Sequence, residues 1–259
     1  MRLGLVTYNV AKDWDIPTII EKCTATGFEG VELRTTHAHG VEVTLTPEER
    51  KTVRKQFKDS PIELAGLGSA FEYHAADPAE VRRNIEGTKE YVKLAHDVGA
   101  SGVKVRPNGF PPSEAGIPRE KTLEQIGVAL RECGEFAKDY GVEVRLEVHG
   151  RETCHPPYIA RIMEVADHDN VFVCWNSNLT DVDENGSIRT NFDLLKHKIR
   201  LVHITELYNE AYGAYPYRDL FSLLKGIGYK GFCCAEIAGN PEPERLMKYY
   251  RALFLAYSA

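Results

Sequence analysis

Two rhythms of apolar residues alternate along this chain. Short runs of four to seven residues, apolar throughout or at every second position, give way to longer stretches with apolar residues three and four apart. Arg2–Tyr8 (R-L-G-L-V-T-Y) is the first strand expected, and the helix after it carries Pro17 in its first turn and stops at Gly27. Gly30–Arg34 is the second strand, followed by a loop with His37 and His39. Thr46, Pro47 and Glu49 have the spacing of a capping box that opens the next helix. Ile62–Leu67 is the third strand, ahead of a loop with Glu72 and His74. A helix from Asp77-Pro78 to Val98-Gly99 leads to the fourth strand, Gly102–Arg106. The Pro- and Gly-rich loop Pro107–Pro118 precedes a helix over Arg119–Tyr140.

The fifth strand, Val142–Gly150 (V-E-V-R-L-E-V-H-G), has the clearest pattern, with apolar residues at every second position and Glu143, Arg145, Glu147 and His149 between them. A helix around Pro157–Ala166, the strand V-F-V-C-W and a polar loop from Asn176 to Thr190 follow. A short helix near Asn191–Lys198 precedes strand seven, Arg200–Thr205. Helix Tyr217–Gly226, strand Gly231–Ile237 and helix Glu244–Tyr257 close the chain. Eight strand–helix units at intervals of roughly 30 to 40 residues predict an α/β chain with a parallel sheet. Eight in about 250 residues is the arithmetic of a (β/α)8 TIM barrel. A doubly wound open sheet is the rival, but no G-x-G-x-x-G follows the first strand. No linker or composition break divides the 259 residues, so residues 1–259 are expected to form a single barrel domain.

Composition narrows the partners. The net charge of −6, from 32 Lys+Arg against 38 Asp+Glu, offers no basic field for nucleic acid or an anionic membrane. Six cysteines are scattered with no C-x-x-C pair, which predicts reduced thiols rather than a disulfide framework. No apolar run spans a bilayer and no leader precedes the first strand, so a cytoplasmic location is expected.

A barrel gathers its chemistry at the C-terminal ends of its strands. Those ends carry Glu32 and Arg34, Lys104 and Arg106, Glu147 and His149, Asn176 and Asn178, His203, and Glu236. On one strand face, Glu147 and His149 could converge on one metal ion or one proton. The same alternation also describes an ordinary half-exposed strand, and His203 alone could be a core histidine. Glu236 lies within the apolar run F-C-C-A-E-I, where a lone carboxylate needs a partner. Mixed carboxylate, imidazole and amide donors from four strands suit a borderline-to-hard divalent ion. Lys104 and Arg106 could grip a substrate or pair with neighbouring acids. Tyr8, Trp14, Phe71 and Phe110 could stack on a sugar ring or pack loops.

The motifs L-E-V-H, V-C-W-N-S-N, V-H-I-T-E-L and A-E-I on strands five to eight, in that order and spacing, resemble the xylose isomerase-like TIM barrels. More narrowly the chain resembles their sugar phosphate isomerase/epimerase group. G-F-E-G-V-E-L, Y-P-Y-R-D-L-F and G-Y-K-G-F agree, so the resemblance covers essentially the whole chain. It implies one divalent metal ion (Mn, Co, Mg or Zn) held by Glu147, Asn176, His203 and Glu236. It further implies that Glu147 and Glu236 act as acid and base while the metal polarises the substrate's carbonyl and hydroxyl. Lys104, Arg106, His149, Asn178 and Glu32 are the substrate-binding candidates. The family usually has Asp at the end of strand six, often with a His three residues later. Here the segment reads Trp175-Asn176-Ser177-Asn178-Leu179, in which Asn176 is the closest match to the Asp, a shift in alignment would select Asn178 or Trp175 instead, and the His is missing. A neutral amide removes one negative charge from the site, so the metal is expected to bind more weakly.

The reading that follows is a metal-dependent isomerase or epimerase of a keto-sugar or related polyol, working through an enediolate. A lyase or hydratase that β-eliminates from an oxidised sugar or glycoside begins with the same proton abstraction. A barrel that binds sugar without turning it over is the third reading, and the neutral Asn176 is its support. The DNA-repair endonucleases of the superfamily need many more His and Asp ligands than the strand ends offer. The loop aromatics leave room for a homodimer in which one subunit closes its neighbour's site.

Overall fold

The structure, a computed structural model, describes residues 1–205, 207 and 215–259. The strands are β1 Arg2–Val6, β2 Gly30–Arg34, β3 Glu63–Glu72, β4 Gly102–Arg106, β5 Glu143–Glu147, β6 Val171–Asn176, β7 Ile199–Ile204 and β8 Phe232–Ala235. The helices that follow them are α1 Ile16–Thr26, α2 Pro47–Lys58, α3 Pro78–Val98, α4 Arg119–Lys138, α5 Pro156–Ala166, α6 Arg189–Leu195, α7 Tyr217–Gly226 and α8 Pro243–Tyr257. All strands are parallel and the sheet closes as β1-β2-β3-β4-β5-β6-β7-β8. Closure rests on β8 pairing with β1, from Arg2 opposite Phe232 to Leu5 opposite Ala235, which rules out the open sheet. This is a (β/α)8 TIM barrel. Among the described residues no helix is long and apolar enough to cross a membrane.

Local signals set the helix starts. Thr46 and Glu49 form the reciprocal capping box of α2. The side chain of Asp15 accepts from the Thr18 amide to cap α1, and α1 ends at Gly27 with φ 75°. Strand ends differ more from expectation. β3 continues past Leu67 because Glu72 still pairs with Arg106 of β4. β5 stops at Glu147, so Val148, His149 and Gly150 lie in the turn. Gly150 has φ 95°, and a Cβ there would come within 2.5 Å of the Asn108 Cα, so the β4 and β5 loops cross at a point only glycine allows.

The large apolar core lies between strands and helices and includes Val31, Leu33, Val103, Val144, Leu146 and Ile204. A small second cluster of Val6, Ala65, Cys174, Leu201, Phe232 and Cys234 fills part of the barrel interior. The rest of that interior is charged. Glu32, Lys104, Arg145 and Glu147 are all buried, although the β5 pattern also read as a half-exposed strand. Arg145 and Glu32 have room there because glycines face them. A Cβ at Gly102 would meet Arg145 Cζ at 2.7 Å, and one at Gly68 would meet Glu32 Oε1 at 2.7 Å. Arg145 is satisfied by the Ala65 carbonyl at 2.8 Å, Ser101 Oγ at 2.9 Å and Glu143 at 2.8 Å. Burying a guanidinium is tolerable when its donors are met in this way.

Candidate functional site

At the C-terminal end of the barrel, Glu147 is the last residue of β5 and Asn176 the last of β6, while Glu236 follows β8 directly. His203 comes from β7 and Glu32 from β2. His203 Nδ1 lies 3.1 Å from Glu147 Oε1 and its Nε2 lies 3.3 Å from Glu32 Oε2. β2 and β7 are not neighbours in the barrel, so the imidazole bridges two carboxylates across the interior. Lys104 of β4 donates to Glu147 Oε2 at 2.7 Å, and Asn176 Nδ2 reaches Glu147 Oε1 at 3.4 Å.

One potential ligating atom from each of Glu147, His203 and Glu236 lies within 4.8 Å of the others. Glu147 and His203 are buried, while the Glu236 side chain keeps 19% of its surface exposed and approaches Arg34 at 3.9 Å. The cluster therefore opens to solvent on the Glu236 side. Two buried oxygens in it have no hydrogen-bond partner, Asn176 Oδ1 and Glu32 Oε1. An orphaned amide oxygen beside a carboxylate–imidazole–carboxylate triad fits a divalent cation held by Glu147, Asn176, His203 and Glu236. The Lys104 ammonium on Glu147 opposes that cation, and His203 must give up a proton to ligate it.

The two glutamates sit in opposed electrostatic settings. Burial alone would raise the Glu147 carboxyl, but the Lys104 ammonium and His203 outweigh it and hold it well below the ordinary range. Glu236 is pushed upward by burial and by the Glu147 charge, against the pull of His203. Burial disfavours a charged His203, yet the acceptors around it, Cys174 and Glu32 foremost, keep it well above the ordinary imidazole value. For Lys104 likewise, burial is outweighed by Glu147 and Glu32. One carboxylate is thus committed to its ionised form and the other is eased toward a proton.

The remaining predicted residues divide. Arg106 pairs with Glu72 at 2.5 Å, and Asn108 links Glu72 at 2.6 Å to His149 Nδ1 at 3.1 Å, forming one wall of the mouth. Asn178 spends its amide on the carbonyls of Val148 at 2.6 Å and Asn176 at 3.3 Å, which fixes the start of the β6 loop. Glu32 is fully buried and reaches His203 from below. His39 is held by the Arg34 carbonyl at 2.7 Å and the Val41 amide at 3.0 Å, a backbone-stapling role. Glu206 of the V-H-I-T-E-L motif lies outside the described residues. Sequence reasoning passed over Asp181, which is buried and accepts from the Asn178 amide at 3.0 Å and the Tyr215 hydroxyl at 2.9 Å. The signal was the Asn178-x-x-Asp181 spacing, here a capping box on the short 3-10 turn Leu179–Asp181.

No curated protein matches the chain in sequence. Solved structures match its fold over nearly the whole length. The 3-keto-D-glucoside 4-epimerase of E. coli superposes with TM-score 0.78 at 16% identity, covering 99% of this chain and 98% of its own. D-psicose 3-epimerase from Clostridium cellulolyticum H10, in complex with D-tagatose, gives 0.80 at 16% identity, covering 100% and 98%. The IOLI protein with a bound zinc atom gives 0.74 at 18% identity, again covering 100% and 98%. The family model of the xylose isomerase-like TIM barrel matches residues 20–253, and the chain belongs to that family.

Proposed function

We propose that this protein is an isomerase or epimerase of a keto-sugar or related polyol, with Glu147 and Glu236 exchanging a proton with carbon beside the substrate carbonyl. The observation that carries this reading is the convergence of Glu147, His203 and Glu236 within 4.8 Å at the open end of the barrel. The sugar epimerases among its structural neighbours support the substrate class.

The chemistry asks for two things. A C–H next to a carbonyl must lose its proton to a base, and a second group must return a proton to the other face or to the neighbouring carbon. Glu147, kept ionised, is the base. Glu236, eased toward protonation and open to solvent, is the acid, and the roles exchange in the reverse direction. Positive charge must stand beside the oxygens as the enediolate forms. Lys104 supplies part of it from behind Glu147, and Arg34 borders the mouth beside Glu236. A divalent cation at Glu147, Asn176, His203 and Glu236 would, when bound, add charge next to the substrate's carbonyl and hydroxyl oxygens. Glu32 would orient His203 for that task, as carboxylates behind metal-bound histidines do.

The test is proton exchange in D2O, followed by NMR, on a set of ketoses and keto-glycosides with Mn²⁺, Co²⁺ or Mg²⁺ present. Wild type should wash deuterium into the carbon beside the carbonyl and yield an epimer or isomer. Glu147→Gln and Glu236→Gln should each slow this by about 10²–10⁴. Exchange that persists in both variants, or no exchange in wild type with any compound, would sink the reading. An unsaturated product would make the enzyme a lyase that shares the first step.

A further inference from the structure

A cavity opens between the loops that follow β4 and β5. It measures about 650 Å³ and its lining includes Asn108, Phe110, Glu114, Arg119, Arg151 and Glu152. We propose that this cavity is a subsite for the second ring of a glycoside whose first ring reacts at Glu147 and Glu236, so that the preferred substrate is a two-ring keto-glycoside rather than a free monosaccharide. The inference rests on the reading of the site as a keto-sugar epimerase or isomerase.

Its position comes first. Asn108 belongs to the cavity wall, and its side-chain oxygen meets His149 Nδ1 at 3.1 Å, two residues beyond Glu147. His149 in turn is near enough to Glu147 for each to feel the other's charge, so the cavity wall and the proton-transfer cluster are linked through His149 and Asn108. A ring held at the mouth would have its neighbour across the His149–Asn108 contact. Asn108 is locked in place as well: it adopts φ 58°, and its amide is tied to Glu72 at 2.6 Å. A wall built this way is set before a ligand arrives.

The chemistry of the lining comes second. The Phe110 ring is braced edge-on by Tyr158 at 5.5 Å and carries the Arg119 guanidinium at 5.0 Å. Arg119 is itself engaged by Glu152 and by the Tyr158 hydroxyl at 3.0 Å. An aromatic ring braced on one side by Tyr158 and Arg119, with further charged groups nearby, suits a pyranose, whose C–H face is apolar and whose edge is all hydroxyls. The two guanidiniums, Arg119 and Arg151, are balanced by the two carboxylates Glu114 and Glu152. That balance favours a neutral polyhydroxylated group over a phosphate. The volume is within the range of about 300–1,000 Å³ usual for small-molecule sites, so one further ring fits.

The experiment compares a one-ring keto-sugar with a disaccharide that carries the same keto ring, by deuterium exchange on the full chain. The wild-type kcat/KM should favour the disaccharide by about tenfold or more, through KM. In Phe110→Ala and in Arg151→Ala that ratio should collapse toward one. A wild-type ratio near one, or variants that lower both substrates equally, would overturn the subsite. If neither compound exchanges, it is the epimerase reading that fails. The subsite is then decided by calorimetric titration of a non-reacting disaccharide against its monosaccharide. Tighter disaccharide binding in wild type, lost in Phe110→Ala, supports it, and equal or absent binding overturns it.

Discussion

Lys104 places its ammonium 2.7 Å from Glu147 Oε2 at the centre of the barrel, with both side chains almost wholly removed from solvent. The strand register explains the meeting: Lys104 lies opposite Arg145, and Glu147 is two residues further along the same strand, on the same face. Breaking such a buried pair on one side leaves a charge without its partner, at a cost of about 3–5 kcal/mol. Lys104→Met is expected to lose stability of that order in urea unfolding. Combining it with Glu147→Gln should recover much of the loss. A double variant no more stable than Lys104→Met would show that the ion pair is not the reason for the burial.

The same ammonium should weaken cation binding. Lys104→Met, where it folds, is expected to bind Mn²⁺ about tenfold more tightly by calorimetry, because a repelling charge has left a low-dielectric site. Asn176→Asp should tighten binding in the same direction by adding a carboxylate where Asn176 now offers an orphaned oxygen. If Asn176→Asp binds Mn²⁺ no better than wild type, Asn176 is not in the ligand set.

Glu32 provides a different test, since it touches His203 and not the mouth. Glu32→Gln keeps the shape but removes the charge that holds the imidazole. Losing a carboxylate behind a metal-bound histidine costs about 10–100-fold in metal affinity. Calorimetry with Mn²⁺ or Zn²⁺ should show a loss in that range. Unchanged affinity would assign Glu32 a purely electrostatic role in the barrel interior.

Asp181 should shape the pH dependence of stability. Burial, opposed by the Asn178 amide and the Tyr215 hydroxyl, pushes its carboxyl up to about 8, from the ordinary value of 3.8. The folded state therefore holds this proton over the window between about pH 4 and pH 8 while the unfolded state releases it. Stability from this group is complete below the lower value and is lost as pH rises toward the upper one, with a slope of at most about 1.4 kcal/mol per pH unit. Asp181→Asn keeps an acceptor for Tyr215 and should flatten that slope. The check is urea unfolding from pH 5 to 8.5; parallel curves for variant and wild type would refute it.

Much of the site was legible because it lies at strand ends, where a closed barrel brings distant positions together. Position gave ten polar residues at the strand ends, donor type and the family resemblance chose Glu147, His203 and Glu236 among them, and these three meet. The fates of Lys104 and Arg106 were left open between substrate and acid, and the structure pairs them with Glu147 and Glu72. Their nearest acids come from different strands, so no spacing along the chain could choose between them. The cavity walled by Phe110 and Arg151 was invisible for a similar reason, since it exists only where two loops cross at Gly150.

The amino-acid sequence by itself determined the eight strand–helix units, the helix caps and the polar residues at the strand ends, because these depend on local periodicity and on contacts a few residues apart. Only the tertiary structure decided that the charged face of β5 points inward. Alternation separates two faces of a strand without saying which is enclosed. The closure of β8 on β1, and the glycines that leave room for Arg145 and Glu32, make that choice.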